Sequence, residues 1–399
     1  MEKISAALEA IMENRSIVKV LQVTIGDGSF GGVTNFLYTF YSHMDHQKVH
    51  SDFLYCGENS MQSKIDDPML SESHITTLHI LKRNNNGFKE YCKLLPALIE
   101  LFGREKYNIV HINSSNLFMN VCVAHALQGR AKLISHSHNT QATIQYSPRF
   151  KQIVKDLIRK PCQRFIISKA DAMFACSRAA GENLFGAKGI LNDKFKVINN
   201  AIDARKYEFS VEKRECLRRG YEDALIVGFV GRLTDQKNPF FVIDIFREIQ
   251  RRDNTAILWV VGEGELKEQV EVKIKEEYLE KQVKLLGRRG DVPDLMQAMD
   301  LFLAPSLYEG LSIVCVEAQA ASLPVFASEV IPEEANLTDL ITRISLDKTA
   351  SEWADIIVSS MNQRPNRTST YDSIVSAGFD INEEALKLER TYCSLMQTK

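Results

Sequence analysis

Cysteine pairs are missing from this sequence. Its eight cysteines (56, 92, 122, 162, 176, 216, 315 and 393) never stand closer than fourteen positions, so neither a CxxC motif nor a zinc-ribbon spacing occurs. Buried, reduced thiols in a cytoplasmic chain are expected. A long apolar run is missing too: the longest stretch free of Asp, Glu, Lys and Arg covers 107–129, and His111, Asn113, Ser114, Ser115, Asn116 and Asn120 interrupt it. That argues against a bilayer span and suits a strand followed by a helix. The first ten residues carry Glu2, Lys3 and Glu9, which break up the apolar core a secretory signal needs. An excess of one charge is absent as well. Lys plus Arg (49) nearly balances Asp plus Glu (51), so no global basic field exists to hold nucleic acid. What is present, 45% hydrophobic and 25% charged residues over 399 positions, is ordinary globular composition with room for two domains of comparable size.

Apolar runs of strand length alternate with helical periodicity, the pattern of βαβ units around parallel sheets. Strands are expected at Val18 to Thr24, Asp52 to Cys56, Thr77 to Ile80, Ile109 to Ile112, Lys132 to Ser135, Ala172 to Ala175 and Lys196 to Ile198. After a charged, weakly hydrophobic stretch from Asp203 to Asp223, a second series follows at Leu225 to Val230, Ala256 to Val261, Val283 to Leu286, Leu301 to Ala304 and Pro324 to Ala327. The expected fold class is α/β, with two doubly wound Rossmann-like domains facing each other across a cleft and a ligand between them. The expected divisions are 1–202, 203–380 and a last helix in 381–399, with Ile381, Ala385, Leu388, Tyr392 and Leu395 at helical spacing. No internal repeat or low-complexity tract stands out.

Three stretches carry candidate chemistry. After the first strand, Gly26, Gly28 and Gly31 spell GxGxxG with Gly32 following, ahead of a helical pattern through Phe36, Leu37 and Phe40. Such glycines let backbone amides approach a phosphate at a helix N-terminus. A nicotinamide site would also need an acid at the end of the second strand. Asp45 precedes that strand and Glu58 lies beyond it. A phosphate loop, a dinucleotide loop and a plain strand-to-helix turn all remain open at this level. In the second half, Arg232 and Lys237 follow a buried strand and stand beside a helix begun at Pro239, where two cations would neutralise a diphosphate or, alternatively, simply face water. Further on, Glu309 lies in a loop after a strand, and Glu317 lies on the helix after it. A pair of this kind accepts hydrogen bonds from sugar and ribose hydroxyls. It could equally serve as acid and base in glycoside hydrolysis, or as helix-dipole partners.

The segments GGV at 31–33, SHSHNT at 135–140, VGRLTDQKNP at 230–239, VGEGE at 261–265 and PSLYEGLSIVCVEAQAASLPV at 305–325 together resemble the retaining glycosyltransferases of family 4, with the GT-B fold, in the exopolysaccharide-biosynthesis branch. The resemblance runs from Val18 to the last helix, and its most specific element is the E-x7-E pair Glu309 and Glu317. It implies transfer of a sugar from a nucleotide-sugar, a UDP-sugar above all, to a saccharide or lipid-linked acceptor. Under it, Arg232 and Lys237 hold the donor diphosphate, Glu317 holds the ribose, and Glu309 with Gly310, Leu311 and Ser312 orients the donor sugar. Gly31, Gly32, Gly262 and Gly264 line the donor, and His138, with His136 as the other candidate, acts from the first domain. No cofactor and no divalent metal are implied, since two cations take the metal's place and no DxD-type cluster stands near a strand end. The sequence departs from the pattern at Ser322, where glycine is common, and at Thr34, where an acid often follows GGV. The competing functions are a nicotinamide-dependent oxidoreductase resting on the glycine loop, and a catalytically silent sugar-nucleotide-binding partner.

One segment suggests a further partner. From Arg149 to Lys169 seven cations face one acid, Asp156, around apolar residues Phe150, Ile153, Val154, Leu157 and Ile158 at helical spacing. A basic amphipathic helix at 148–169 would suit peripheral contact with the inner face of the cell membrane, or else packs its apolar side inward.

Overall fold

The computed structural model describes residues 17–25, 32–56, 75–78, 88–138, 149–362 and 367–397. The chain divides into two compact units, residues 1–199 with 381–399, and residues 200–380.

The first unit holds a seven-stranded sheet in the order β3-β2-β1-β4-β5-β6-β7, every pairing parallel. Its strands are β1 Val18–Ile25, β2 Val49–Cys56, β3 Ile75–Leu78, β4 Ile109–Asn113, β5 Lys132–Ser137, β6 Ala172–Ala175 and β7 Phe195–Val197. Parallel strands need crossovers, and helices cover both faces as a result, so β4 and β6 are buried end to end. One face packs Leu21, Val23, Val110 and Ile112 against the helices Phe88–Arg104 and Leu117–Leu127. The C-terminal helix Ile381–Gln397 belongs to this unit and packs on β1 and on the helix Gly32–Tyr41.

The second unit holds a six-stranded parallel sheet in the order β10-β9-β8-β11-β12-β13. Its strands are β8 Ile226–Val230, β9 Ile257–Val261, β10 Val283–Gly287, β11 Leu301–Ala304, β12 Val325–Ser328 and β13 Ile341–Ile344. Strand order reverses between β1 and β4 in the first unit and between β8 and β11 in the second, the places where doubly wound sheets bind ligands. One of the sequence expectations needs correction here. β13 is an extra strand: it is short, carries Arg343 and sits at the sheet edge, so it lacks the apolar run that marks a central strand. The charged, weakly hydrophobic stretch 203–223 is part of the second unit. It forms the short helices Ala204–Tyr207 and Val211–Leu217, and Ala204 and Tyr207 join the core of the second unit. Arg218 donates to Asp300 at 2.8 Å and Arg214 grips the same carboxylate, so the charges that make the segment look solvated are spent at the amino ends of the central strands β8 and β11. Ile202 bridges to Asp380, which puts the division at 199/200.

Among the described residues no helix is long and apolar enough to cross a membrane. Of the cysteines described, Cys56, Cys122, Cys176 and Cys315 are buried, whereas Cys216 is exposed.

Ser322 ends the helix Ile313–Ala320 with φ of 56°, in the left-handed region, which explains why glycine suits that position. Its hydroxyl makes only a long 3.4 Å contact with Thr370. Ser322→Gly should therefore stabilise the chain by about 0.5–1 kcal/mol, net of glycine's larger unfolded-state entropy, and raise the melting temperature by about 2 °C. A lowered melting temperature would show that the side chain's packing outweighs the backbone strain.

Candidate functional site

The second unit gathers its chemistry at the carboxyl ends of β8 and β11. The chain leaves β8 through Gly231 and Arg232, makes one turn of 3₁₀ helix at Asp235–Lys237, and enters the helix Pro239–Arg252 with Pro239 in its first turn. Lys237 Nζ lies 2.5 Å from Glu309 Oε1, with both side chains largely buried. The same oxygen accepts from Ser306 Oγ at 2.9 Å, and Gln236 Nε2 reaches Glu309 Oε2 at 3.4 Å. Three further bonds join the two loops: Leu307 N to Gln236 O at 2.8 Å, Gln236 Nε2 to Tyr308 O at 3.1 Å, and Asn238 Nδ2 to Pro305 O at 3.2 Å. Arg232 is exposed and makes no side-chain hydrogen bond or ion pair among the described residues. The turn thus presents one committed cation and one available cation. Gly310 follows Glu309 directly, and Leu311 and Ser312, both buried, carry the chain into the helix that bears Glu317.

Gly262 and Gly264 support this turn from beneath. Gly262 has φ of 138°, and a Cβ there would fall 1.9 Å from Gly231 O; a Cβ on Gly264 would fall 2.2 Å from Leu233 O. Backbone meets backbone at both places, and Gly231 N to Val261 O (2.9 Å) and Leu233 N to Glu263 O (3.0 Å) close the contact. Within this unit these glycines therefore shape the Arg232 turn.

Glu317 sits on the helix Ile313–Ala320 and accepts from Tyr207 OH at 2.7 Å. Burial pushes its carboxyl up to about 7, against the opposing pull of the Tyr207 bond and of Lys237. Tyr207 is itself held in place, because buried Gln297 donates to its carbonyl at 2.9 Å. Neither Tyr207 nor Gln297 was predictable as a site residue from spacing: Tyr207 lies 110 positions from Glu317 in a stretch that reads as solvated, and Gln297 acts only through Tyr207, 90 positions away.

In the first unit His138 follows β5 and is half-buried, while His136 lies within β5 and is fully sealed. The rings lie with centroids 3.9 Å apart, tilted 31° to one another, and Phe36 meets both edge-on at 5.1 and 4.7 Å. His138 Nε2 bonds Asn113 Oδ1 at 3.0 Å, and its backbone N–H donates to Ser115 Oγ at 3.0 Å. Only His138 of the two reaches solvent. Gly31 lies outside the described residues, together with Gly26 and Gly28; Gly32 opens the helix Gly32–Tyr41. The second strand ends in Cys56, with no acid there, and Glu58 lies outside the described residues.

A family model described as glycosyl transferases group 1 matches residues 218–372, and one described as glycosyltransferase family 4 matches residues 30–206. A Bacillus subtilis (strain 168) protein named EpsF and described as a glycosyltransferase is 27% identical over 391 residues, which is 95% of this chain and 97% of that protein. The UDP-Gal:alpha-D-GlcNAc-diphosphoundecaprenol alpha-1,3-galactosyltransferase of Escherichia coli is 28% identical over 285 residues, covering 69% of this chain and 71% of that one. Among solved structures, Anabaena HepE in complex with UDP-glucose has a TM-score of 0.69 at 22% identity, covering 94% of this chain and 99% of that chain, a likeness of fold.

Glu317 binds its proton more tightly folded than unfolded, so its contribution to stability falls as pH rises from about 4.5 through about 7. Glu317→Gln keeps the acceptor for Tyr207 and removes the titration. In denaturant titrations the variant should gain stability over the wild type between pH 5 and pH 8; an unchanged difference would show the carboxyl to be ordinary.

Proposed function

From its membership of glycosyltransferase family 4, in the exopolysaccharide branch with the GT-B fold, we propose that this chain moves a sugar from a UDP-sugar to a saccharide or lipid-linked saccharide, with retention of configuration and without a divalent metal. The observation that carries the reading is the convergence of Arg232, Lys237, Glu309 and Glu317 on the strand ends of one unit. A UDP donor and a polyprenol-linked acceptor are supported by the E. coli relative's name, and a UDP-sugar by the HepE complex.

The residues divide the work by chemistry. Departure of a diphosphate places negative charge on the leaving oxygen, and Arg232 with Lys237 counter it most strongly in the transition state. Lys237 is held by Glu309 before donor arrives; an incoming diphosphate competes for that cation and releases Glu309 to accept from sugar hydroxyls. Glu317, ionised, accepts from the ribose hydroxyls. In the transfer the anomeric carbon's bond to the diphosphate oxygen breaks, its bond to the acceptor oxygen forms on the same face, and the acceptor's proton passes to the leaving diphosphate. His138 contributes a hydrogen bond to the donor sugar.

Calorimetry with EDTA present tests this reading. UDP should bind the wild type in EDTA, and Glu317→Ala should weaken it at least tenfold. Affinity should fall toward tenfold per pH unit below about 7, as Glu317 takes up its proton. Arg232→Ala should lower kcat by about 10²–10³-fold. Binding of NAD in place of UDP, or activity abolished by the chelator, would overturn the corresponding part.

The basic helix Arg149–Lys169 is the proposed membrane contact, because Leu157 and Ile158 are 68% and 50% exposed beside exposed Lys160 and Arg164. Arg159 is committed elsewhere, donating to Asn183 Oδ1 at 2.7 Å. Anionic vesicles should sediment the wild type and not a Leu157→Asp, Lys160→Glu, Arg164→Glu variant. Equal sedimentation of the two would reject the contact.

A further inference from the structure

The face of the first sheet beneath the helices Gly32–Tyr41 and Ile381–Gln397 is polar. Gln22 on β1, His111 and Asn113 on β4 and His136 on β5 are at most 5% exposed, and Tyr392 of the C-terminal helix is fully buried among them. A buried polar group left without a partner costs about 1–3 kcal/mol, so these side chains are constrained toward the hydrogen-bond pattern that leaves the fewest of them unpaired.

One backbone atom sets the direction of that pattern. Asn113 has an amide group 3.2 Å from the carbonyl oxygen of His111. A carbonyl only accepts, so the Asn113 nitrogen faces it and the Asn113 oxygen faces His138. His138 Nε2 must then carry a proton to donate to Asn113 Oδ1. Asn113 Nδ2 also donates to Gln22 Oε1 at 2.9 Å, which turns the Gln22 nitrogen toward Tyr392, where it donates to the phenol oxygen at 3.1 Å. The phenol proton is left for His111 Nδ1, 2.7 Å away. His111 therefore carries its own proton on Nε2 and donates to His136 Nδ1 at 3.2 Å, so His136 too is protonated on Nε2. In either order His136 Nε2 has no hydrogen-bond partner among the described residues, and the reverse order would leave the Tyr392 hydroxyl without an acceptor as well. Both inner histidines stay neutral, since burial pushes His111 down to about 3 and holds His136 well below the usual imidazole range.

We propose that Asn113 and Tyr392 are positioning residues of the histidine site. The His111 carbonyl orients Asn113, which fixes the ring and tautomer of His138. Through Gln22, Tyr392 and His111 the same carbonyl fixes His136, the ring against which His138 lies. The C-terminal helix thereby sets the protonation of the two buried histidines, His111 and His136, with Tyr392 itself held by Gln22, 370 positions away. The functional half of this inference rests on the reading that His138 meets the donor sugar; the protonation pattern does not.

Nitrogen-15 NMR of histidine-labelled full-length protein tests it, and nine histidines are few enough to assign by single His→Gln variants. In the wild type His111, His136 and His138 should each carry the proton on Nε2. Tyr392→Phe should release the His111 and His136 signals into a mixture of tautomers and leave His138 unchanged. Asn113→Leu should disturb His138 and lower kcat by about 10–100-fold, with KM for the donor within about threefold, as expected for a misplaced catalytic ring. A proton on Nδ1 of any of the three in the wild type overturns the inference without any variant, and so does a Tyr392→Phe spectrum identical to wild type. Full activity of His138→Ala would instead remove the catalytic reading of His138 while the protonation pattern stands.

Discussion

The second unit depends on one ion pair. Lys237 and Glu309 lie on loops that leave different strands, β8 and β11, on either side of the point where the sheet's order reverses. Each charge is largely withdrawn from water, so neither is stable alone: removing one partner of a buried pair typically costs about 3–5 kcal/mol. Ser306 and Gln236 also bond Glu309, and three bonds between the two loops hold the geometry in register. Everything assigned to the donor follows from that anchor. Arg232 is left as the available cation of the turn, and the loop beyond Glu309 runs directly into the helix that carries Glu317.

The two units solve the placement of polar groups differently. In the second, charged side chains sit in loops beyond the strand ends, supported from below by glycine backbone packed against glycine backbone at 262 and 231. In the first, the polar residues lie inside the strands and are neutral, and a directional set of hydrogen bonds lets histidines, amides and a phenol share the space between sheet and helix. A neutral network avoids the desolvation cost of charge and gains orientation in exchange. Loop charges suit the proposed exchange of one partner for a diphosphate. Buried neutral groups suit a ring whose tautomer must not vary.

Much of this was legible from local pattern. The buried strands announce themselves as apolar runs between turn residues, and VGRLTDQKNP and the E-x7-E spacing point to the strand ends where Arg232, Lys237, Glu309 and Glu317 are found. The failures have a common physical origin. β13 hides because an edge strand needs no apolar run, and the helices at 204–217 hide because their arginines look solvated while in fact binding Asp300 and backbone carbonyls. Tyr207, Gln297, Gln22, Asn113 and Tyr392 matter through partners between two and several hundred positions away, and no periodicity encodes a contact that only the finished topology creates.

The central claim is that Lys237 passes from Glu309 to the donor diphosphate, leaving Glu309 to hold the sugar. Glu309→Gln tests it most directly, because the amide keeps the shape and an acceptor oxygen but gives up the charge that neutralises Lys237. UDP affinity and turnover of a UDP-sugar would be measured on the same preparation. UDP should bind the variant at least as tightly as the wild type while kcat falls by about 10²-fold or more. UDP binding lost with turnover per bound donor intact would contradict it, and would make the ion pair a scaffold for the nucleotide alone.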